Sequence, residues 1–378
     1  MPHASPIPIA LIEEGRKMAS ICNACRYCEG YCAVFPAIER RLDFTEGDLA
    51  YLANLCHNCG ACYYACQYAP PHEFGLDLPR YLADMRLATY RKYAWPDAFA
   101  QLYARNGVTV SLVLATALAL FFVALALLVD RAVLFSAHSD HEGAFYAVLP
   151  HRAMAWTFGL VFAAALVPLL VGFFRFWNDV GEAGPTYAAP GPLAQSTRDA
   201  LQLKYLDGGG DGCTYPGEVP THLRRRFHHF TFYGFMLCFA ATSVATIYHY
   251  VLGWPAPYPF VSLPVLLGTA GGIGLLIGPA GLLWLKAVRD PALAGRGQGG
   301  MDAGFLVLLM LAAASGLALL ALRESAAMGM LLAAHLGVIL ALFLTVPYGK
   351  FVHAVYRFAA LLRFHVEKRR PPPAVAAD

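Results

Sequence analysis

The chain has 378 residues, of which 58% are hydrophobic and 14% charged, and its net charge at pH 7 is +3. Soluble domains carry about 25% charged residues, so this composition, with a mean hydropathy of +0.49, excludes an ordinary soluble protein. There is no basic block with interleaved aromatic residues, and nucleic acid is therefore not an expected partner. Eight of the ten cysteines precede residue 67, whereas the long uncharged stretches begin after Asn106. We therefore expect a soluble region followed by a membrane region.

The amino-terminal region contains two copies of one cysteine pattern, C-x2-C-x2-C-x3-C. This is the ligand pattern of a two-cluster bacterial ferredoxin, in which three thiolates hold one 4Fe-4S cluster and the fourth reaches the other cluster. The spacing predicts one cluster on Cys22, Cys25, Cys28 and Cys66, and a second on Cys56, Cys59, Cys62 and Cys32.

Two other roles for these cysteines fit less well. Structural zinc takes four ligands, and two C-x2-C pairs per site would leave cysteines over in each copy. A disulfide framework is typical of small secreted chains, and this long chain has no secretory signal.

Residues 1–76 are predicted to form an α-helical ferredoxin domain. Thr45 with Asp48 three residues later is a helix N-cap signal, and leucines at helical spacing follow it. A helix between the motifs favours this class over the small ferredoxins that contain strands. Ala33 and Gln67 stand where the commonest ferredoxin pattern has proline. This departure weakens the match to small soluble ferredoxins more than it weakens the prediction of clusters.

Residues 77–107 are predicted to be an amphipathic linker. Its basic residues and an interfacial aromatic residue, just before a hydrophobic span, suit a membrane surface. A solvated helix face is the alternative for these charges. The residues concerned are Arg80, Arg86, Arg91, Lys92 and Trp95.

Six uncharged apolar segments follow, each with about the 20 residues needed to cross a bilayer. They are 108–129, 153–174, 230–252, 262–285, 303–322 and 330–348. The predicted fold is therefore all-α, with a six-helix transmembrane bundle over residues 108–364 and a polar tail over 365–378.

The distribution of basic residues predicts the orientation of the bundle. With six spans, 25 of the 28 Lys and Arg residues lie on the side of the amino terminus, and only Arg131, Arg152 and Arg323 lie on the other. By the positive-inside rule the cysteine domain and both termini are cytoplasmic. We expect a multi-pass protein of the bacterial inner membrane.

The loop over residues 178–227 contains a glycine-rich run at 207–212 and Cys213. It lacks the context of a P-loop, and we expect it to pack on the cysteine domain, with Cys213 as an ordinary thiol. Cys238, in the third span, is expected to be a small packing residue.

Ionisable residues within membrane spans are functional candidates, and histidines lie at matched depths on the third and sixth spans. His228 and His229 lie near one face with His353, whereas His249 lies near the other with His335. Because haem iron takes axial imidazoles, we expect two b-type haems between these helices.

Helix phase narrows the choice of ligands. At 3.6 residues per turn, His335 and His353 project on one face if the helix continues through Pro347. Around the axis of the third span, His228 lies about 60° from His249, whereas His229 lies about 160° from His249. His228 is therefore preferred over His229. Single histidines that only hydrogen-bond within the bundle are the alternative; His151 and His222 are expected at the surface.

The motifs at 21–32 (ICNACRYCEGYC) and 55–62 (LCHNCGAC), with six spans, resemble the tricarballylate-utilisation protein B family, also called the citrate-utilisation type B proteins. That family is similar to the carboxy-terminal half of a flavohaemoprotein of cobalamin synthesis. The membrane half of the present chain is also similar in plan to the haem-bearing γ subunit of respiratory nitrate reductase. The resemblance implies that a cytoplasmic FAD-dependent dehydrogenase oxidises tricarballylate to cis-aconitate, and that this protein reoxidises the flavin and passes electrons to the membrane.

The resulting hypothesis is an electron-transfer subunit that carries electrons from a partner flavin through two 4Fe-4S clusters and haem b to quinone. Cofactors carry such chemistry, so no catalytic acid or nucleophile is expected. Three alternatives stay open: a quinol-oxidising subunit that feeds a cytoplasmic reductase, a membrane redox sensor, and a structural anchor.

Overall fold

A computed structural model describes residues 7–138, 143–181, 186–295 and 297–371. The ends of the predicted amino-terminal domain and polar tail, 1–6 and 372–378, lie outside the described residues. The cysteine-rich region is helical: α1 (Ile9–Cys25), α2 (Val34–Ile38), α3 (Glu46–Leu55), α4 (Ala61–Tyr64) and α5 (Leu78–Tyr93), followed by a 3-10 turn at Asp97–Tyr103.

The predicted helix between the two motifs is confirmed as α3. The Thr45 side chain accepts a hydrogen bond from the Asp48 amide, and the Asp48 carboxylate accepts one from the Thr45 amide. This capping box fixes where the helix begins. Gly47 and every residue of α3 after Asp48 are buried, so α3 is the central helix of the domain.

The second region contains six helices long and apolar enough to cross a membrane, as predicted. They are α6 (Asn106–Leu128), α9 (His151–Asp179), α11 (Leu223–Tyr250), α12 (Leu263–Ala287), α13 (Gly299–Leu322) and α14 (Met328–Thr345). Short helices α7 (Arg131–Leu134) and α8 (Ala144–Val148) connect α6 to α9, whereas α10 (Pro190–Leu201) and a hairpin of β1 (Cys213–Thr214) and β2 (Pro220–Thr221) precede α11.

Helices α11 and α12 form the closest helix pair, because glycines let their backbones approach. A Cβ atom at Gly234 would lie 2.9 Å from the Gly271 carbonyl oxygen, and one at Gly278 would lie 2.4 Å from the Thr231 amide. Helix α13 packs on α12 and on α14, and α14 packs on α6. The glycines of the fourth span therefore serve close packing, as their position in a membrane segment predicts.

The carboxy-terminal part of the sixth span departs from the expected continuous helix. Helix α14 ends at Thr345, a 3-10 turn covers Val346–Tyr348, and a separate helix α15 runs over Val352–Glu367. Pro347, which has no amide hydrogen, lies at this break. The phase relation between His335 and His353, which required an unbroken helix, therefore does not apply.

Helix α15 packs into the cysteine domain. Its residues Val352, Tyr356 and Phe364 share one hydrophobic core with α3 and α5. At its end, Glu367 binds Arg41, which also lies 2.6 Å from Asp48. The amphipathic pattern of α15 thus serves this domain, although its residues were expected in the membrane bundle.

Helix α5 is also a core helix of this domain, whereas its basic residues were expected at a membrane surface. Arg86 and Lys92 are buried, and the Lys92 ammonium lies 2.5 Å from Asp179 of α9 and 2.6 Å from Glu46 of α3. Lys92 is buried because its charge is paired, whereas the buried Arg86 guanidinium donates hydrogen bonds to the Ala53 and Cys56 carbonyl oxygens; in both cases these contacts satisfy groups that would otherwise need water.

Candidate iron-sulfur and membrane redox site

The first cysteine motif lines a cavity of about 260 Å³. Helix α1 ends at Cys25, and Arg26 has a left-handed φ of 56°, so the chain turns sharply around the cavity. The fourth cysteine comes from the other motif. The four predicted ligands of this cavity are Cys22, Cys25, Cys28 and Cys66.

The second motif lines an adjacent, smaller cavity. Asn58 and Gly60 have φ angles of 52° and 82°, which turn the chain between α3 and α4. Its four predicted ligands are Cys32, Cys56, Cys59 and Cys62, and Cys62 also borders the first cavity. The structure thus groups the cysteines in the crossed manner that the spacing predicts.

The eight thiols suit a pair of iron-sulfur clusters, because each cavity is surrounded by four soft sulfur donors. The described residues contain no group of three or more His, Cys, Asp or Glu side chains placed to hold a single metal ion. Ligation by each cysteine stays a prediction.

The glycine-rich loop packs on this domain, as expected. A Cβ atom at Gly209 would lie 3.0 Å from the Gly30 carbonyl oxygen, and Gly209 has a φ of 90°, so glycine suits both the close approach and the backbone. Cys213 is buried in the same apolar group as Cys59. Its thiol donates a hydrogen bond to the Leu206 carbonyl oxygen at 3.6 Å. Cys213 is therefore a neighbour of a predicted ligand, a role that its sequence context did not indicate.

A third cavity, of about 350 Å³, lies between the second motif and the membrane helices, a volume within the range of ligand sites. His57 and Asn58 of the second motif line it together with His228 of α11 and His353 of α15. Its polar side carries six cations: Arg86, Arg224, Lys286, Arg289, Lys350 and Arg357. Its apolar side carries aromatic residues that include Phe232, Phe235, Phe305 and Phe351.

His228 and His353 are placed as two imidazoles that could share one iron. Their ring centroids lie 6.2 Å apart, and two imidazoles bound to one metal at about 2 Å have centroids roughly 6 Å apart. His353 Nδ1 lies 2.6 Å from the Lys350 carbonyl oxygen; donation there leaves Nε2 free, the arrangement usual for ligating histidines. His228 Nδ1 is buried without a hydrogen-bond partner among the described residues. These residues fit a bis-histidine haem.

The other candidate histidines have different surroundings. The His229 ring lies 5.7 Å from the Tyr233 ring, so the structure brings His228, and not His229, to His353. The His249 ring stacks on His151 at 3.6 Å, which leaves no room for an iron between those two rings. His335 Nδ1 lies 3.0 Å from Ser315 Oγ. His249 and His335 were expected to be the two ligands of a second haem; in the structure the His249 ring lies against His151 and His335 lies beside Ser315.

Several site residues were not expected. His57 lies in the third cavity, and burial, with Arg357 and Arg224 nearby, holds its pKa well below the usual range. Three arginines contact the second motif from separate helices: Arg86, Arg224 and Arg357. No local pattern marks them, because the contacts join segments far apart in the chain.

Comparisons with known proteins agree with this architecture. The model of the citrate utilization protein B family matches residues 104–374, and that of its Fer4-like domain matches residues 15–100. Citrate utilization protein B of Escherichia coli is 54% identical over 367 residues, which cover 97% of this chain and 95% of the relative. No solved structure matches the chain. The Fer4-like domain indicates an iron-sulfur electron-transfer role, and the chain belongs to the citrate utilization protein B family.

Proposed function

We propose that this protein is a membrane-bound electron-transfer subunit that reoxidises a flavin-dependent dehydrogenase and delivers the electrons through two 4Fe-4S clusters and haem b to quinone. The observation that carries the proposal is the shared wall of the second motif and the third cavity. His57, between two predicted cluster ligands of the second motif, faces the same space as His228 and His353. Cofactor-binding residues therefore form one series from the first motif to the membrane helices.

Different sets of side chains hold the different cofactors. The eight cysteines hold the clusters, whereas His228 and His353 hold the haem; these groups supply one-electron chemistry when bound. The fold keeps the two cluster cavities adjacent, with Cys62 bordering both. The aromatic residues of the third cavity suit an apolar ring, and Arg289, which also lines the cavity, suits a carboxylate of haem or another anion.

The proposed partner and substrate are based on the family resemblance. The relative from Escherichia coli is named for citrate utilization, and the resemblance found in the sequence implies a tricarballylate dehydrogenase with bound FAD. We propose a tricarboxylate-oxidising flavoprotein as the electron donor. The surface around the first motif, where Tyr27 is 71% exposed, is open to such a partner.

The distribution of basic residues supports a cytoplasmic cluster domain. With 25 of 28 basic residues on the same side of the six spans as the amino terminus, the cluster domain and both termini lie in the cytoplasm, and the spans lie in the inner membrane.

Iron and sulfide analysis of the purified protein, with quinone reduction, tests the clusters. We expect about eight non-haem iron atoms and about eight sulfides per chain. After reduction of the clusters with dithionite and removal of the excess, we expect oxidation by menadione. Cys25→Ser and Cys59→Ser should each lose one cluster signal, and Cys59→Ser, which removes the cluster beside the third cavity, should also lose nearly all electron delivery. Cys238→Ser, a matched change at a membrane thiol, should keep both. Full electron delivery in Cys59→Ser would overturn the proposal.

Substitution of single histidines tests the haem site. His228→Ala and His353→Ala should each remove the haem absorption of the third cavity, because each removes one of two axial ligands. His229→Ala, the adjacent residue, should retain it. The second haem, predicted at His249 and His335, would appear as two haems per chain, one of them lost in His335→Ala. Full haem content in both His228→Ala and His353→Ala would refute the assignment.

A further inference from the structure

Three arginines surround the start of the second cysteine motif. Arg86 Nη2 and Arg357 Nη2 donate hydrogen bonds to the Cys56 carbonyl oxygen at 2.5 and 2.7 Å. Arg224 Nη1 donates to the Asn58 carbonyl oxygen. Guanidinium groups from α5, α11 and α15 thus lie against the backbone of two residues, one of them a predicted cluster ligand.

These arginines lack carboxylate partners. Within residues 7–138, 143–181, 186–295 and 297–371, none of the three forms a salt bridge with Asp or Glu, whereas the buried Arg41 and Lys92 do. Arg86 is only 4% exposed, and a buried charge without a counter-charge is costly. The cluster predicted on Cys56 would supply compensating negative charge beside Arg86 and Arg357, which contact the Cys56 carbonyl oxygen, since a cluster held by four thiolates is anionic.

Hydrogen bonds to sulfur also favour the second motif. The Asn58 amide donates to Cys56 Sγ at 3.2 Å, and the buried Cys213 thiol lies beside Cys59. In the first motif, the Gln67 amide nitrogen lies 4.0 Å from Cys25 Sγ. Positive charge and hydrogen bonds to sulfur both raise the potential of an iron-sulfur cluster, because its reduced form carries more negative charge.

Burial acts in the opposite direction. Cys56 and Cys59 are 7% and 8% exposed, and burial disfavours the additional negative charge of a reduced cluster. Three fixed positive charges at close range outweigh this effect, because Coulomb interactions strengthen in the same low-dielectric surroundings.

We propose that Arg86, Arg224 and Arg357 hold the reduction potential of the second-motif cluster above that of the first-motif cluster. The first cluster is then the electron entry and the second is the exit toward His228 and His353. The favoured transfer moves one electron, which the first cluster loses and the second gains; no bond forms or breaks and no proton moves. This inference rests on the proposed function and adds the order of the two clusters.

The test is a redox titration of the full-length purified protein followed by electron paramagnetic resonance. Cys25→Ser and Cys59→Ser identify the two signals, since each removes one. The second cluster should be reduced first in the unmodified protein. In Arg224→Gln and Arg357→Gln, its preference for the electron should fall about tenfold, equivalent to 59 mV for one electron. These half-buried residues are better targets than Arg86, whose loss affects the core.

Two controls separate charge from structure. Arg224→Lys and Arg357→Lys keep the charge and should retain most of the potential difference, which a purely structural role would not predict. Arg26→Gln changes an exposed arginine of the first motif and should leave the second cluster unchanged. A second cluster of lower potential, or unchanged potentials in both glutamine variants, would overturn this inference alone. Absence of both cluster signals would overturn the proposed function as well.

Discussion

The carboxylate of Asp302 is central to the polar side of the third cavity. Its Oδ1 lies 2.6 Å from the Lys350 ammonium, and its Oδ2 accepts a hydrogen bond from the Lys286 ammonium. The three residues belong to α13, to the segment before α15 and to the end of α12. The carboxylate therefore joins three parts of the chain that enclose the cavity.

Asp302→Asn should destabilise the protein substantially. Removal of one partner from a buried ion pair costs about 3–5 kcal/mol, because the remaining charge stays buried and unpaired. Here the two lysine side chains are 23% and 20% exposed, and retained contact with water favours the lower end, about 3 kcal/mol. That value increases the unfolded fraction on the order of a hundredfold.

Unfolding in detergent micelles, followed by the fluorescence of the five tryptophans, measures the effect. Asp43→Asn is the matched control, because Asp43 is exposed and its change should stay within about 0.5 kcal/mol. The triple variant Lys286→Met, Asp302→Leu and Lys350→Met should recover most of the stability, since it leaves no unpaired charge. If Asp302→Asn unfolds like Asp43→Asn, the reasoning is wrong.

Two further predictions concern packing and pH. Gly271→Leu should lower the free energy of unfolding by at least about 1–3 kcal/mol, because a Cβ atom there would lie 2.8 Å from the Cys238 amide nitrogen. Gly268→Ala should have little effect in the same unfolding assay, because its Cβ atom would lie 3.6 Å from its nearest neighbour. Burial lowers the pKa of His365 below its ordinary value of 6.5, so below pH 6.5 the unfolded chain binds a proton that the folded chain does not. The free energy of unfolding should therefore be at its full value above pH 6.5 and fall as the pH drops below it. His365→Asn should weaken this pH dependence when unfolding is measured at about pH 7 and pH 5.

Local patterns predicted much of this protein. The two cysteine runs match the ligand pattern of a two-cluster ferredoxin, and that pattern predicted the crossed grouping of the thiols that line the two cavities. Six apolar stretches of bilayer length gave the six long helices, and the Thr45 to Asp48 signal gave the start of α3. Each of these features depends on residues close together in the chain.

Contacts between distant segments could not be predicted in the same way. The three arginines approach Cys56 and Asn58 from helices separated by more than a hundred residues, and their basic character is equally typical of a membrane surface. His249 had a candidate partner at matching depth, but depth does not determine which helix faces which, and the structure places His151 against it. A proline such as Pro347 indicates that a helix can end there, but it does not predict where the chain goes next; the helix after the break, α15, carries His353.

The position of α15 affects the order in which the protein is made. Its core contacts with α3 and α5 mean that the cluster domain is assembled from both ends of the chain. During synthesis, the cysteine motifs emerge first, the six spans follow, and only then do residues 352–367 become available to complete the domain. The Cys56 carbonyl oxygen therefore gains its contact with Arg357 only after the membrane helices have been synthesised, and a chain truncated before residue 346 would expose the apolar surfaces that α15 covers.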